Sequence, residues 1–117
     1  MAQINNVKFA FKIVSDPPPE PLPEIYPKSE LDQSDGFVHL STAIQVPLTA
    51  DRFFAAHQTL WVLKLDFEKM ADLVKWENDF PHLYSDFGAQ HIVAVHKVER
   101  AHDHSWDETM HSAPWLE

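Results

Sequence analysis

The chain has 117 residues, 44% of them apolar and 23% charged, which is enough for one domain with a core and too few for two. A formal charge of −9 argues against sequence-independent binding of DNA or RNA, which depends on basic contacts to phosphate. The absence of cysteine excludes thiolate catalysis, disulfides and Cys-based zinc sites, and two glycines, Gly36 and Gly88, are too few for a Gly-rich phosphate loop.

Met1 to Asn6 offers neither a basic nor an apolar leader region, and no apolar run is long enough to span a bilayer. The expectation is a soluble cytoplasmic protein with no membrane partner. Val7 to Ser15 alternates as a first strand. Residues 16–27 hold six prolines and must form an extended loop, because proline fixes φ and lacks the ladder donor. Ser29 to Ser34 reads as polar turn, and Asp35-Gly36 as a tight turn. In the short strand that follows, Phe37, His39 and Ser41 share one face, and Val38 and Leu40 take the other.

Thr42-Ala43-Ile44-Gln45 has the capping-box pattern, with Thr42 as N-cap and Gln45 reaching back. His39 and Ser41 therefore stand at a strand's end beside a helix N-terminus, a place that suits an anion. After a turn at 43–46, a helix over 47–57 has Pro47 in its first turn and Leu48, Phe53, Phe54 and His57 on its inner face. Next come a strand at 60–66, a short helix at 67–72, a strand at 73–77 and a turn at Asn78-Asp79. Phe80 to Tyr84 is irregular or an edge strand, since Pro81 forbids a central one. The last strand, within 89–100, turns Ile92, Ala94, His96 and Val98 one way. The order predicts an α+β fold with a small mixed or antiparallel sheet, one main helix and a short one. Residues 1–100 form the domain, and 101–117 a His- and Trp-containing tail that either packs back through Trp106 and Trp115 or stays mobile.

Two stretches carry a resemblance. The run from Tyr26 to Val46, with Asp35-Gly36-Phe37-Val38-His39-Leu40-Ser41-Thr42 at its centre, resembles the first signature of the family called domain of unknown function 952. Lys75-Trp76-Glu77 followed by Phe80-Pro81-His82-Leu83-Tyr84 resembles its second. The likeness extends from about Val7 to Val98; Lys28 stands where the family usually has glycine, and the link from Glu77 to Phe80 is shorter than usual. It implies a split-sheet fold related to ADP-ribosyltransferases and RNA 2′-phosphotransferases, whose His-x-Ser element is similar to His39-Leu40-Ser41. Such a fold needs no Gly-rich loop to bind NAD or a related nucleotide, which makes those the candidate cofactors.

The expected site joins the two signatures in one pocket for a small molecule. His39, His82 and Glu77 are its catalytic candidates. His39 would hydrogen-bond a ribose or phosphate oxygen or serve as acid–base, and Glu77 beside Trp76 would support an oxocarbenium-like centre. Tyr26, Ser41, Thr42, Trp76 and Tyr84 are the substrate-binding candidates, and no metal is expected because nothing sets a ligand spacing. Alternation points Trp76 and Glu77 to opposite faces, and His82 and Tyr84 to the same one. The leading reading is an enzyme of transferase type on a nucleotide-like molecule. A small-molecule isomerase, cyclase or lyase and a non-catalytic interaction protein are the alternatives.

Overall fold

The computed structural model describes residues 7–116, so the leaderless reading of Met1 to Asn6 lies outside the described residues. Strand β1 (Phe9–Val14) is followed by the Pro-rich loop, helix α1 (Glu30–Asp35), strand β2 (Val38–His39) and helix α2 (Gln45–Phe53). Strand β3 (Thr59–Asp66), two short 3₁₀ turns, strands β4 (Val74–Glu77), β5 (Phe80–Leu83) and β6 (Ile92–Glu99), and helix α3 (Trp106–Met110) complete the chain. No helix among the described residues is long and apolar enough to cross a membrane.

The fold is α+β with two three-stranded sheets, ordered β1–β3–β6 and β2–β5–β4, and every pairing is antiparallel. Both faces of β1 and β3 are covered, which is why these two strands read as near-continuous apolar runs. Ala10, Leu63 and Leu65 pack with Val38 and Leu83 of the second sheet and with Tyr26, Phe67, Met70 and Phe87. On the other side Phe11, Ile13, Leu60 and Val62 pack with Val46 and Ala50 of α2 and with Trp106 and Met110 of α3. Each Val, Leu, Ile, Phe or Met among them contributes about 1.5–3 kcal/mol on leaving water. Lys12 is the polar exception on the β1 face turned to the second sheet, and it is almost fully buried.

The stretch at 29–35 is a helix rather than a turn. Ser29 Oγ accepts from the Asp32 N–H at 3.1 Å, Glu30 and Asp32 lie in the first turn, and Gly36 closes the helix at φ 83°. Hydrophobic periodicity missed α1 because its buried side chain is Asp32, while Leu31 is 53% exposed. The Asp35-Gly36 turn is thus the helix C-terminus. Beyond β2, Ser41 exchanges backbone hydrogen bonds with Phe11, at 2.8 and 2.9 Å, so the chain leaves the second sheet and covers the edge of β1.

Gln45 reaches back to the Thr42 N–H at 2.9 Å, as its spacing suggested, but Thr42 is not the N-cap: the helix begins at Gln45 behind Ile44, without a side-chain cap, and ends at Phe53. Its buried residues are Val46, Pro47 and Ala50, whereas Leu48, Phe53 and His57 are exposed; α3 rather than the sheet alone dictates which face turns inward. Trp106 is fully buried, donates from Nε1 to the Phe54 carbonyl and takes Asp51 as the acceptor for its backbone N–H. A Ser105–Glu108 capping box starts α3, and Trp115 stacks on His96 at 4.2 Å.

Asn78 and Asp79, at φ 52° and 70°, make the two-residue turn between β4 and β5, whose right-handed twist favours such backbone angles. β5 lies at the centre of its sheet despite Pro81. Glu77 and Phe80 close the hairpin, so Pro81 and Trp76 fall in a non-hydrogen-bonded pair and the proline nitrogen faces β2. β2 ends at His39, and beyond it the Leu40 N–H still donates to the Pro81 carbonyl at 3.2 Å, so the absent donor removes only the return bond of that last pair. In β6 the register slips opposite Lys64 and Leu65. That bulge sends Ile92 into the core between the sheets while Val98 packs with the helices, so the four inward residues do not share one side.

Candidate functional site

β2 and β5 pair with His39 opposite His82, which brings the two signature stretches together on the outer face of the second sheet. The imidazole centroids are 5.6 Å apart, and the Phe37 ring lies against both, 4.6 Å from His39 and 4.1 Å from His82. Tyr84 closes the group at 5.2 Å from Phe37, with Lys75 Nζ over its ring at 4.8 Å. The His39 side chain is 30% exposed and that of His82 14%.

Each imidazole is held by a carboxylate. Asp32 Oδ1 accepts from His39 Nδ1 at 2.6 Å and from its backbone N–H at 3.1 Å. Asp35 Oδ2 accepts from His39 Nε2 at 2.9 Å. The His39 ring is thus flanked by a carboxylate at each of its nitrogens, the buried Asp32 at Nδ1 and the exposed Asp35 at Nε2. Glu77 Oε1 takes His82 Nδ1 at 2.7 Å and the Tyr84 hydroxyl at 2.8 Å. His82 therefore carries its proton on Nδ1 and presents the lone pair of Nε2, which no described residue engages.

Asp32 is the anchor. Its side chain is 1% exposed, and Lys12 Nζ, reaching across from β1, lies 2.7 Å from Oδ2 and donates to the His39 carbonyl at 3.2 Å. Burial alone would raise the Asp32 pKa, but the Lys12 ammonium and the bonds from His39 hold its carboxyl below the usual range. Burial lowers the pKa of Lys12 despite the attraction of Asp32. Hydrogen bonds from His82 and Tyr84 lower that of Glu77, and the same Glu77 bond raises that of the Tyr84 phenol.

Of the residues expected at the site, His39, Glu77, His82 and Tyr84 come together, and Glu77 and Trp76 do face opposite ways. Trp76 packs into the core near Phe67. Tyr26 is also in that core, stacked on Phe87 at 5.1 Å. Ser41 is buried where the chain meets β1, because it follows the departure of the chain from β2. Thr42 borders a separate shallow concavity of about 460 Å³, together with Phe9, Ala43, Ile44 and Leu116. The single pocket expected from both signatures is instead an open cluster of four of those residues. Asp32, Asp35, Lys12 and Phe37 complete it without having been singled out. The Ser29-x-x-Asp32 cap followed by Asp35-Gly36 was the signal for α1, and with it for two carboxylates turned toward His39. Among the described residues no group of three or more His, Asp or Glu side chains is placed to hold a metal.

Residues 21–95 match the family described as a protein of unknown function (DUF952), and the chain belongs to that family. The chain is similar to the crystal structure of protein CC0527 from Caulobacter crescentus, with 25% identity, a TM-score of 0.70, and coverage of 83% of this chain and 91% of that one. The solution NMR structure of CC0527 shares the fold at 24% identity and a TM-score of 0.69, over 90% of this chain and 97% of that one. No curated protein matches the chain.

Proposed function

We propose that this member of the DUF952 family is an acid–base enzyme acting on a nucleotide-like small molecule, with His39 as acid and His82 as base. One observation carries the reading: two imidazoles lie 5.6 Å apart, each with a carboxylate at its Nδ1. His82 Nε2 would take the proton of an attacking hydroxyl or water, and His39 Nε2 would deliver one to the leaving oxygen. Asp35 must first turn away from His39, and as the exposed last residue of α1 it is free to do so. Asp32 and Glu77 stay behind as orienting groups, each holding the Nδ1 side of its ring. The finer reading is transfer of an ADP-ribosyl or phosphoryl group on an ADP-ribosyltransferase-like superfold. Its support is the His39-Leu40-Ser41 element and a carboxylate, Glu77, beside the acid–base pair.

A second reading, isomerisation, cyclisation or elimination on an uncharged small molecule, uses the same pair. The charge of the cluster favours it. Lys12 is engaged by the buried Asp32, while Asp35 and Glu77 set negative charge directly beside the two imidazoles, where a phosphate would be repelled. Calorimetric titration with NAD, ADP-ribose and related nucleotides separates the two readings. Binding that His82→Ala and His39→Ala weaken at least tenfold supports the nucleotide reading. Absence of heat with every nucleotide, or binding indifferent to both variants, would remove it.

A further inference from the structure

The carboxylates at the Nδ1 side of the two imidazoles are held unequally. Asp32 is 1% exposed with Lys12 against it, whereas the Glu77 side chain is 43% exposed and stands on β4, the last strand of its sheet. A carboxylate open to water turns readily, and one bond to an imidazole does little to stop it. Glu77 has a second bond. Register sets Glu77 opposite Phe80 and Lys75 opposite His82, and the Tyr84 N–H donates to the Leu73 carbonyl at 2.8 Å further along the same two strands. The Tyr84 ring therefore lies back along the sheet, so that its hydroxyl reaches Glu77 Oε1 at 2.8 Å, the oxygen that also takes His82 Nδ1. Phe37, 5.2 Å away, and the Lys75 ammonium, 4.8 Å above the ring, keep it there.

We infer that Tyr84 is a positioning residue for His82: its hydroxyl fixes Glu77, and through Glu77 the tautomer in which His82 offers the lone pair of Nε2. Tyr84 thus acts behind the imidazole rather than on a substrate. Phenylalanine would pack against Phe37 equally well, so the hydroxyl serves Glu77 and not the packing. The bond made at one ring nitrogen decides which nitrogen carries the proton. Once Glu77 turns to water, nothing keeps the proton on Nδ1. A growing share of the rings then carries it on Nε2, with a hydrogen where a base needs a lone pair. The bonds from His82 and from Tyr84 both lower the Glu77 pKa, so the pair also keeps the acceptor ionised. Tyr84 does for the open Glu77 what Lys12 does for the buried Asp32. The catalytic use of this tautomer rests on the reading of His82 as base, while the tautomer itself does not.

Long-range nitrogen–proton correlation spectra of the full chain, isotope-labelled and at mildly alkaline pH, read the tautomer of each imidazole without any ligand. The wild type is expected with Nδ1–H at His82. Tyr84→Phe, which keeps the ring beside Phe37, should lower the ratio of Nδ1–H to Nε2–H at least about fivefold, as the loss of one hydrogen bond implies. Glu77→Ala removes the acceptor and marks the far end of the scale, with Nε2–H in the majority. A carbon-detected titration should also show the Glu77 carboxyl rising toward its ordinary pKa in Tyr84→Phe. A wild type already in the Nε2–H form, or a Tyr84→Phe ratio equal to that of the wild type, would overturn the inference. Nucleotide titration fails or succeeds separately: silence there removes the substrate reading and leaves the tautomer result standing, and an unmoved tautomer removes the role of Tyr84 alone.

Discussion

Replacing Asp32 with asparagine keeps the shape and the acceptor facing the His39 N–H but strands the Lys12 ammonium, whose residue is 8% exposed. At the observed 2.7 Å the gross attraction in this pair is about 6 kcal/mol at an effective dielectric of about 20, much of it offset by desolvation. Removing one partner of a buried pair costs about 3–5 kcal/mol. Deprotonation of Lys12 sets a ceiling. Neutralising a lysine at pH 7, against an ordinary pKa of about 10.4, costs about 1.4 kcal/mol per pH unit and so close to 5 kcal/mol in all. The sign follows. The folded pKa of Lys12 is already lowered by burial, and loss of Asp32 lowers it further. The penalty is full below that folded pKa and fades as pH rises through it toward the unfolded value. Urea titrations should therefore show Asp32→Asn least stable at pH 7 and recovering toward pH 9, with Lys12→Met/Asp32→Asn better than Asp32→Asn at neutral pH. A cost below about 1 kcal/mol, equal at both pH values, would place the pair among surface-like contacts and refute the reasoning.

In the wild type, the depressed Asp32 pKa contributes stability above the unfolded value of about 3.9, and acid titration should show it disappearing as pH falls below about 4 toward the folded pKa. Glu77→Gln should bring the Tyr84 phenol back toward its ordinary pKa in an ultraviolet titration, because the hydrogen bond to Glu77 is the main cause of its rise. Gly88→Ala would put a Cβ 1.7 Å from the Glu24 carbonyl oxygen, and calorimetric unfolding should register a loss of at least about 1–3 kcal/mol. Trp106→Ala removes a fully buried indole and its bond to Phe54, with an expected loss of about 3–5 kcal/mol in urea unfolding.

The long strands were legible because they are buried by pattern: Phe9–Val14, Thr59–Asp66 and Ile92–Glu99 carry period and length enough to stand alone. Local bonding was legible too, as in Gln45 returning to Thr42. What escaped was set by neighbours distant in sequence. α1 has no apolar stripe because it buries a carboxylate against Lys12 of β1, and the inner face of α2 is chosen by Trp106 more than fifty residues later. Ser41 looked like a partner of His39 by alternation, yet the backbone turns to Phe11 and takes the hydroxyl away. His39 and the group of Glu77, His82 and Tyr84 stood in two separate stretches of sequence, which the pairing of β2 with β5 sets side by side. The carboxylates that orient His39 became visible only once α1 was seen as a helix.

Lys12 connects the histidine cluster to a strand that begins before residue 21, where the family match starts. The matched segment is therefore smaller than the unit that holds the site in shape. A fragment cut to residues 21–95 would keep both histidines and every carboxylate around them, but Asp32 would lose the cation that offsets its burial. Asp32 would then be driven to take up a proton or turn outward, and His39 would lose its anchor while its own sequence neighbourhood stayed intact.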